Sequence, residues 1–345
     1  MRKLYHFFSE QAFIYRFTLL ASPWRFKKAM LQRGVAAEQI SYRHYLHAVL
    51  LIRCTLSEYK DYELYGKEDD IIRQYLTMYR KHRILSLLGD RHAALTITGS
   101  KKTFNSRYSD FLGREWIDCD TCTRDDFIAF LKKHNEAVFK IPDAFQGRGV
   151  KRYTYTSDAD AAAQFESLQK QHGLAEEILL QHESITTFNP QTVNTLRISG
   201  VCINGHFRLL GACFKTGCGK TDVDNLVRGG IGCAVDTKTG IVCSDGFDHD
   251  LKTYEKHPVS GLTFRGFAIP HWDKLLDTVS KASVLCEKNG DGHWIGWDVA
   301  ITPQGAVIIE GNWNQGLTLI QCKQNGKADL LKNILKEENY KCEQC

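Results

Sequence analysis

An α+β architecture behind a mainly helical N-terminal region is the fold class this sequence predicts. Three observations predict it. Apolar residues recur at helical spacing up to about residue 95, short strands then mix with helices without strict βαβ alternation, and two hairpin turns stand out in the second half. A chain of 345 residues is long enough for two or three packed subdomains, read here as 1–95, 96–180 and 181–345.

The elements follow in order. "DDIIRQYLTMYRKHRILSLL" places Ile71, Ile72, Tyr75, Leu76, Tyr79 and Ile84 at helical spacing behind Asp69 and Asp70, so one helix is expected there. "DFIAFLKKHN" reads as a short amphipathic helix and "EAVFKIP" as the strand after it. "DADAAAQFESLQKQHG" is a helix stopped by Gly173, followed by the strand "LAEEILLQ". "TVNTLRISGVCINGHFRLLGACFK" reads as two strands joined at Asn204-Gly205, the strongest short hairpin signal. "HWDKLLDTVSKASVLCEKNG" is a helix, and "GWDVAITPQGAVIIEGNWNQG" is a second hairpin.

Composition narrows the class. The sequence is 43% apolar and 25% charged, the balance of an ordinary globular protein. No apolar run approaches the roughly 18 residues of a membrane span, and the N-terminus lacks the pattern of a secretory signal, so a cytoplasmic protein is expected. The 12 cysteines are scattered mostly singly, as small buried hydrophobes are. "CDTC" and "CEQC" have zinc-ligand spacing, but their distance along the chain argues against a shared site. Residues 1–35 hold seven Lys/Arg and one acid, a net +6 against +5 for the whole chain. A solvated basic face is the plain explanation, and contact with an anionic membrane surface is the functional one. Nothing resembles a nucleic-acid module.

Three stretches carry chemistry. In the last hairpin a three-residue "PQG" loop pairs Thr302 with Ala306, which puts Asp298 opposite Glu310. Two like charges so placed destabilise a sheet, so a positive partner is required between them. Asp298, Glu310 and Asn312 offer only oxygen ligands, which suits Mg²⁺ shared with substrate phosphates. "VFKIPDAFQGRGVKRY" ends a strand on Lys140 and continues into a loop with Gly147, Arg148 and Gly149, a place where backbone N–H groups and a fixed cation can meet phosphate. "AEEILLQHES" offers Glu176 and Glu177 to an adenine amino group and the backbone near Leu179 to the ring edge. Each stretch has an ordinary structural explanation when taken alone.

Together and in this order, Lys140 with its glycine loop, "EEILL", "NTLRI", "DNLVRGG", Asp298 and "EGN" resemble the signature of the ATP-grasp enzymes. "QHESITTFNPQTVNTLRISG", "KTGCGKTDVDNLVRGGIGCAVDTKTG" and "IGWDVAITPQGAVIIEGNWNQG" resemble the sugar-transfer associated ATP-grasp family over roughly residues 95–325. That resemblance implies two α+β subdomains clamping ATP. It implies that Lys140 and either Lys101 or Lys102 contact phosphates, and that Gly147 to Gly149 form a flap. Glu176, Glu177 and Leu179 would line the adenine, with Glu183 at the ribose. Asp298, Glu310 and Asn312 would hold two Mg²⁺ ions, and Arg197, Lys215 and Asn225 would face the γ-phosphate. A strict Asn204-Gly205 hairpin pairs Asn194 with Lys215 and turns Arg197 to the other face, so either a bulge intervenes or Arg197 lies outside the site. The implied activity is an ATP-dependent carboxylate–amine ligase in surface-polysaccharide synthesis, working at the inner face of the membrane on small, sugar-linked substrates. The basic residues 1–35 would touch the membrane or a glycosyltransferase. Alternatives are a phosphotransferase acting on a sugar hydroxyl and a non-catalytic nucleotide-binding scaffold.

Overall fold

The structure, a computed structural model, describes residues 21–90, 100–141, 149–219 and 224–340. Its contacts divide the chain into two compact units, one of residues 1–89 with 316–345 and one of residues 90–315.

In the first unit the chain runs through α1 (Pro23–Gln32), α2 (Tyr42–Ile52), α3 (Leu56–Asp61), α4 (Asp69–Arg73) and α5 (Met78–Leu87), and it ends in helices Thr318–Gln321 and Ala328–Glu337. Ser22 caps α1 from the Arg25 amide and Pro23 occupies its first turn, where a missing N–H costs nothing. Phe26 stacks on Tyr45 at 5.1 Å between ring centres, and both lie in a core with Met30, Tyr59 and Ile72. The single helix expected over 69–88 is two. Gln321 accepts from the Leu76 amide and donates to the Leu76 carbonyl, both at 2.8 Å, while Glu58 accepts from the Met78 amide at 2.6 Å. These bonds satisfy the backbone at the break, and Thr77 then caps α5.

The second unit contains two antiparallel sheets. The smaller has the order β1-β4-β2-β3, from β1 (Trp116–Asp118), β2 (Glu136–Lys140), β3 (Val150–Thr154) and β4 (Leu174–Glu177). The helix α6 (Lys101–Arg107) precedes it, and α7 (Arg124–His134) and α8 (Asp158–Lys170) pack on it through Phe127, Leu131 and Phe165. The larger sheet has the order β11-β10-β5-β6-β7-β8-β9. Its strands are β5 (Thr195–Ile203), β6 (His206–Thr216), β7 (Ile231–Val235), β8 (Gly246–Phe247), β9 (Thr253–Tyr254), β10 (Trp294–Thr302) and β11 (Gly305–Asn312). A short α9 (Glu183–Thr186) precedes β5. Every residue of β5 and β10 is buried, so both faces of the sheet centre are covered. On one face lies α10 (Trp272–Lys288), where Trp297 donates to Ser283 Oγ at 2.8 Å. Side chains alternate along a strand, so Asp298 faces the other way.

Two bulges set the register of that second face. Asn204 and Gly205 turn the β5–β6 hairpin with φ of 55° and 76°, the left-handed pair a two-residue turn needs. Pairing then shifts between Ser199 and Gly200, leaving Leu210 as the extra residue, so Lys215 opposes Thr195 rather than Asn194. Arg197 therefore shares a face with Lys215, which decides the question the sequence left open. In the last hairpin Thr302 pairs with Gly305, not Ala306, because Pro303 and Gln304 alone make the turn. A shift between Asp298 and Val299 leaves Ile309 extra and restores the expected pairing of Asp298 with Glu310.

Candidate functional site

The larger sheet lines up Cys213, Arg197, Asp298 and Glu310 in one row across β6, β5, β10 and β11. Arg197 meets Asp298 in a bidentate pair, Nε to Oδ1 at 2.7 Å and Nη2 to Oδ2 at 3.0 Å. Lys215 Nζ lies 3.2 Å from the same Oδ1 and 3.7 Å from Asp224 Oδ2. Asp224 in turn accepts from the Thr195 amide at 3.1 Å and from its hydroxyl. Glu310 stands directly across from Asp298 and accepts from Asn312 Nδ2 at 3.0 Å. The positive partner that the facing acids require is thus supplied on Asp298 by Arg197 and Lys215.

The electrostatics follow from the packing. Burial opposes ionisation of Asp298, but Arg197 and Lys215 outweigh it and hold its carboxyl well below the usual range. Glu310 goes the other way. The protein around it disfavours its charge, the Asp298 carboxylate repels it, and its pKa rises. Its side chain is nevertheless exposed to solvent. Burial likewise raises Asp224 despite Lys215. Asp298 and Glu310 face each other across β10 and β11, where a hard cation would meet carboxylate oxygens. Asp298, Glu310 and the Asn312 amide therefore fit Mg²⁺ as a donor set.

A second cluster lies at the smaller sheet. Lys140, at the end of β2, places Nζ 2.7 Å from Glu176 Oε2 on the neighbouring β4. Arg114 Nε donates to the same oxygen at 2.6 Å, and Asn105 Nδ2 donates to Oε1 at 2.9 Å. Burial opposes the Glu176 charge, yet Lys140 and Arg114 keep the carboxyl far below its ordinary value. Burial lowers Lys140, and repulsion from the Arg114 guanidinium adds to this against the pull of Glu176. Arg114 Nη1 also donates to the Ile308 carbonyl of β11 at 3.0 Å, which ties the two sheets together beside Glu310.

The other residues singled out by sequence are distributed as follows. Lys101 Nζ donates to the Ile141 carbonyl at 3.1 Å, next to the end of β2, whereas Lys102 is held by Asp118 and Asp120. Gly149 has φ of 72° and accepts from the Ile141 amide at 3.1 Å; Gly147 and Arg148 lie outside the described residues. Glu177 points away from Glu176 and accepts from the Glu115 amide at 3.0 Å. Leu179 is half-buried between β4 and α9. Glu183 lines a separate 360 Å³ cavity with Phe188, Leu262 and Phe267. Asn225 caps its own turn by accepting from the Val227 amide at 2.9 Å, so the neighbouring Asp224, not Asn225, bonds within the charged row. In "CDTC" Cys119 is buried and Cys122 half-buried, and Cys342 and Cys345 are not among the described residues.

Sequence reasoning missed Asp224, Asn105 and Arg114. Asp224 stands inside "DNLVRGG" and was within reach of the motif. Asn105 and Arg114 belong to no motif and meet Glu176 from 71 and 62 residues away.

An antiparallel pair of sheets carrying a buried lysine on one and a row of acids on the other is the arrangement of an ATP-grasp fold. The chain belongs to the sugar-transfer associated ATP-grasp family, whose match spans residues 158–336. No curated protein matches the sequence. Among solved structures it is similar to D-alanyl-alanine synthetase A from Vibrio cholerae O1 biovar eltor str. N16961, at 13% identity and a TM-score of 0.42, over 71% of this chain and 66% of that one. It is also similar to the ATP-grasp ligase PsnB complexed with the precursor peptide PsnA2 and AMPPNP, at 12% identity and a TM-score of 0.41, over 72% of this chain and 61% of that one. D-alanine–D-alanine ligase from Bacillus anthracis complexed with ATP is similar at 13% identity and a TM-score of 0.40, over 70% and 66%. The chain thus spans slightly under two thirds of the length of these structures.

Proposed function

We propose that the protein is an ATP-dependent carboxylate–amine ligase that works through an acyl-phosphate. The observation that carries this reading is a pair of clusters with opposite residual charge. Lys140 and Arg114 against Glu176 leave one positive charge; Arg197 and Lys215 against Asp224, Asp298 and an ionised Glu310 leave one negative charge. A metal–nucleotide complex presents both complements, phosphate to the first and divalent cation to the second.

Within this reading a substrate carboxylate oxygen attacks the γ-phosphorus of ATP and ADP leaves. An amine then attacks the acyl carbon, gives up a proton, and inorganic phosphate departs. Lys140 and Lys101 hold the nucleotide phosphates. Glu177, Leu179 and Glu183 belong to the base and ribose side in the same reading, with Glu176 between them and the phosphates. Lys215 and Arg197, both held against Asp298, would bind the transferred group. Asn225 orients the loop after β6 next to them. Asp298, Glu310 and Asn312 would hold the Mg²⁺ ions, two in number, whose chemistry is to neutralise charge on the phosphate oxygens.

The family points to a sugar-linked carboxylate in surface-polysaccharide synthesis. No helix among the described residues is long and apolar enough to cross a membrane. The outward face of α1 carries Trp24, Lys27, Lys28 and Leu31, with Lys28 5.2 Å over the Trp24 ring, and this supports contact of residues 1–35 with an anionic membrane surface. Co-sedimentation with phosphatidylglycerol vesicles should fall in Trp24→Ala/Lys28→Glu; equal sedimentation would remove the contact.

The activity is tested by screening carboxylates and amines with Mg-ATP for phosphate release and amide formation. Release that needs both substrates and is absent in Glu310→Gln is expected. A stable phospho-sugar with no free phosphate would replace the ligase by a phosphotransferase.

A further inference from the structure

Arg114 is the least explained charged group in the molecule. Its side chain is 3% exposed, in a segment that approaches β11 so closely that a Cβ on Gly113 would come within 2.3 Å of Val307 Cγ1. Three of its bonds are structural, namely Nε to Glu176 Oε2 and Nη1 to the carbonyls of Leu112 and Ile308, each at 3.0 Å for the last two. The remaining nitrogen, Nη2, is buried with no hydrogen-bond partner among the described residues. A buried guanidinium N–H left unsatisfied costs about as much as a lost charged hydrogen bond, so a protein keeps one where something else completes it.

The charge count points the same way. Lys140 Nζ and Arg114 Nε converge on a single carboxylate oxygen, at 2.7 and 2.6 Å. One anion cannot neutralise two cations in a poorly solvated site, and an uncompensated buried charge is expensive. Both oxygens of Glu176 are already engaged, Oε2 by the two cations and Oε1 by Asn105. Three of its roughly four acceptor sites are thus taken, and its orientation is set by these partners.

Building on the nucleotide reading above, we propose that Arg114 is a phosphate ligand of the bound nucleotide, acting through Nη2 beside Lys140, and that Glu176 is its positioning residue rather than a reader of the base. The same guanidinium bonds the β11 backbone at Ile308, two residues before Glu310. Phosphate bound there is therefore registered against the metal-bearing strand by one rigid group, which a lysine at this position would not do.

The test uses the full chain with Mg²⁺, titrated with ADP by calorimetry and with adenosine by ligand-observed NMR. Arg114→Met should weaken ADP binding by about 10- to 100-fold, the loss of one charged hydrogen bond, and leave adenosine within about twofold. ADP affinity within twofold of wild type, or equal losses for ADP and adenosine, would overturn the assignment. Where Arg114→Met does not fold, Arg114→Lys keeps the charge but lacks Nη2. It should still lose several-fold in ADP affinity, and unchanged affinity would overturn the proposal. Glu176→Gln should leave the ratio of ADP to inosine diphosphate affinity as in wild type. A ratio that collapses toward one would make Glu176 a reader of the base. Wild-type protein that binds no nucleotide would instead defeat the functional reading itself.

Discussion

Replacing Arg197 by methionine perturbs the charged row at its centre and keeps most of the side chain's volume. Arg197 supplies two of the three cationic contacts to Asp298, at 2.7 and 3.0 Å, and only Lys215 at 3.2 Å remains after the change. Both partners are buried, with side chains 10% and 7% exposed, so solvent cannot take over the lost bonds. Breaking a buried pair from one side costs about 3–5 kcal/mol, and the surviving lysine puts this case near the lower figure. For a unit of residues 90–315, about 3 kcal/mol corresponds to a fall of roughly 6–12 °C in Tm. Differential scanning calorimetry in metal-free buffer at pH 7 reads this directly. Magnesium at millimolar concentration should then recover part of the loss, because the cation it competes with has gone. A fall under about 2 °C would refute the buried pair, and a full fall untouched by magnesium would refute Asp298 as a metal ligand.

Lys140→Ala should weaken ADP binding about tenfold or more, read by calorimetry, since it removes one of the two cations beside the phosphates; unchanged affinity would take Lys140 out of the site. The pKa of Glu310 is raised above 4.5 in the folded state, so its contribution to stability is full below that pH and is lost as pH rises through the folded value. Unfolding midpoints of metal-free protein should show this decline, and Glu310→Gln should lack it. Asn194→Ala should lower stability by about 3 kcal/mol without changing nucleotide affinity. Its amide donates to the Ile185 and Asn189 carbonyls and accepts from Thr192 and from Thr216 at the end of β6, and so ties the segment before β5 to the sheet. A near-neutral effect on denaturant midpoint would show that this network tolerates its loss.

What could be read from sequence was whatever local chemistry decides. The Asn204-Gly205 turn, α7, α8 and α10 follow from periodicity and turn residues. The pairing of Asp298 with Glu310 was also expected, but the route to it was not. A tighter turn at Pro303-Gln304 and an extra residue at Ile309 compensate each other. The bulge at Leu210 that brings Arg197 to the Lys215 face had no signature beyond the need for one, because all of β5 and residues 210–216 of β6 are buried and show no in–out alternation for an extra residue to disturb. The break between α4 and α5 depends on Gln321, over 240 residues further on. Arg114 depends on burial against two distant strands, and no spacing encodes it.

The central claim is a nucleotide site and a metal site that act together. The most direct measurement is the thermal stability of wild type and Asp298→Asn with ADP or an ATP analogue, each with and without Mg²⁺. Ligand at about 100 times its dissociation constant should stabilise the wild type by roughly 2.7 kcal/mol, a shift of several degrees. The account predicts that this shift needs Mg²⁺ and is lost in Asp298→Asn. A shift of the same size in the variant, or none for any nucleotide in the wild type, would contradict it.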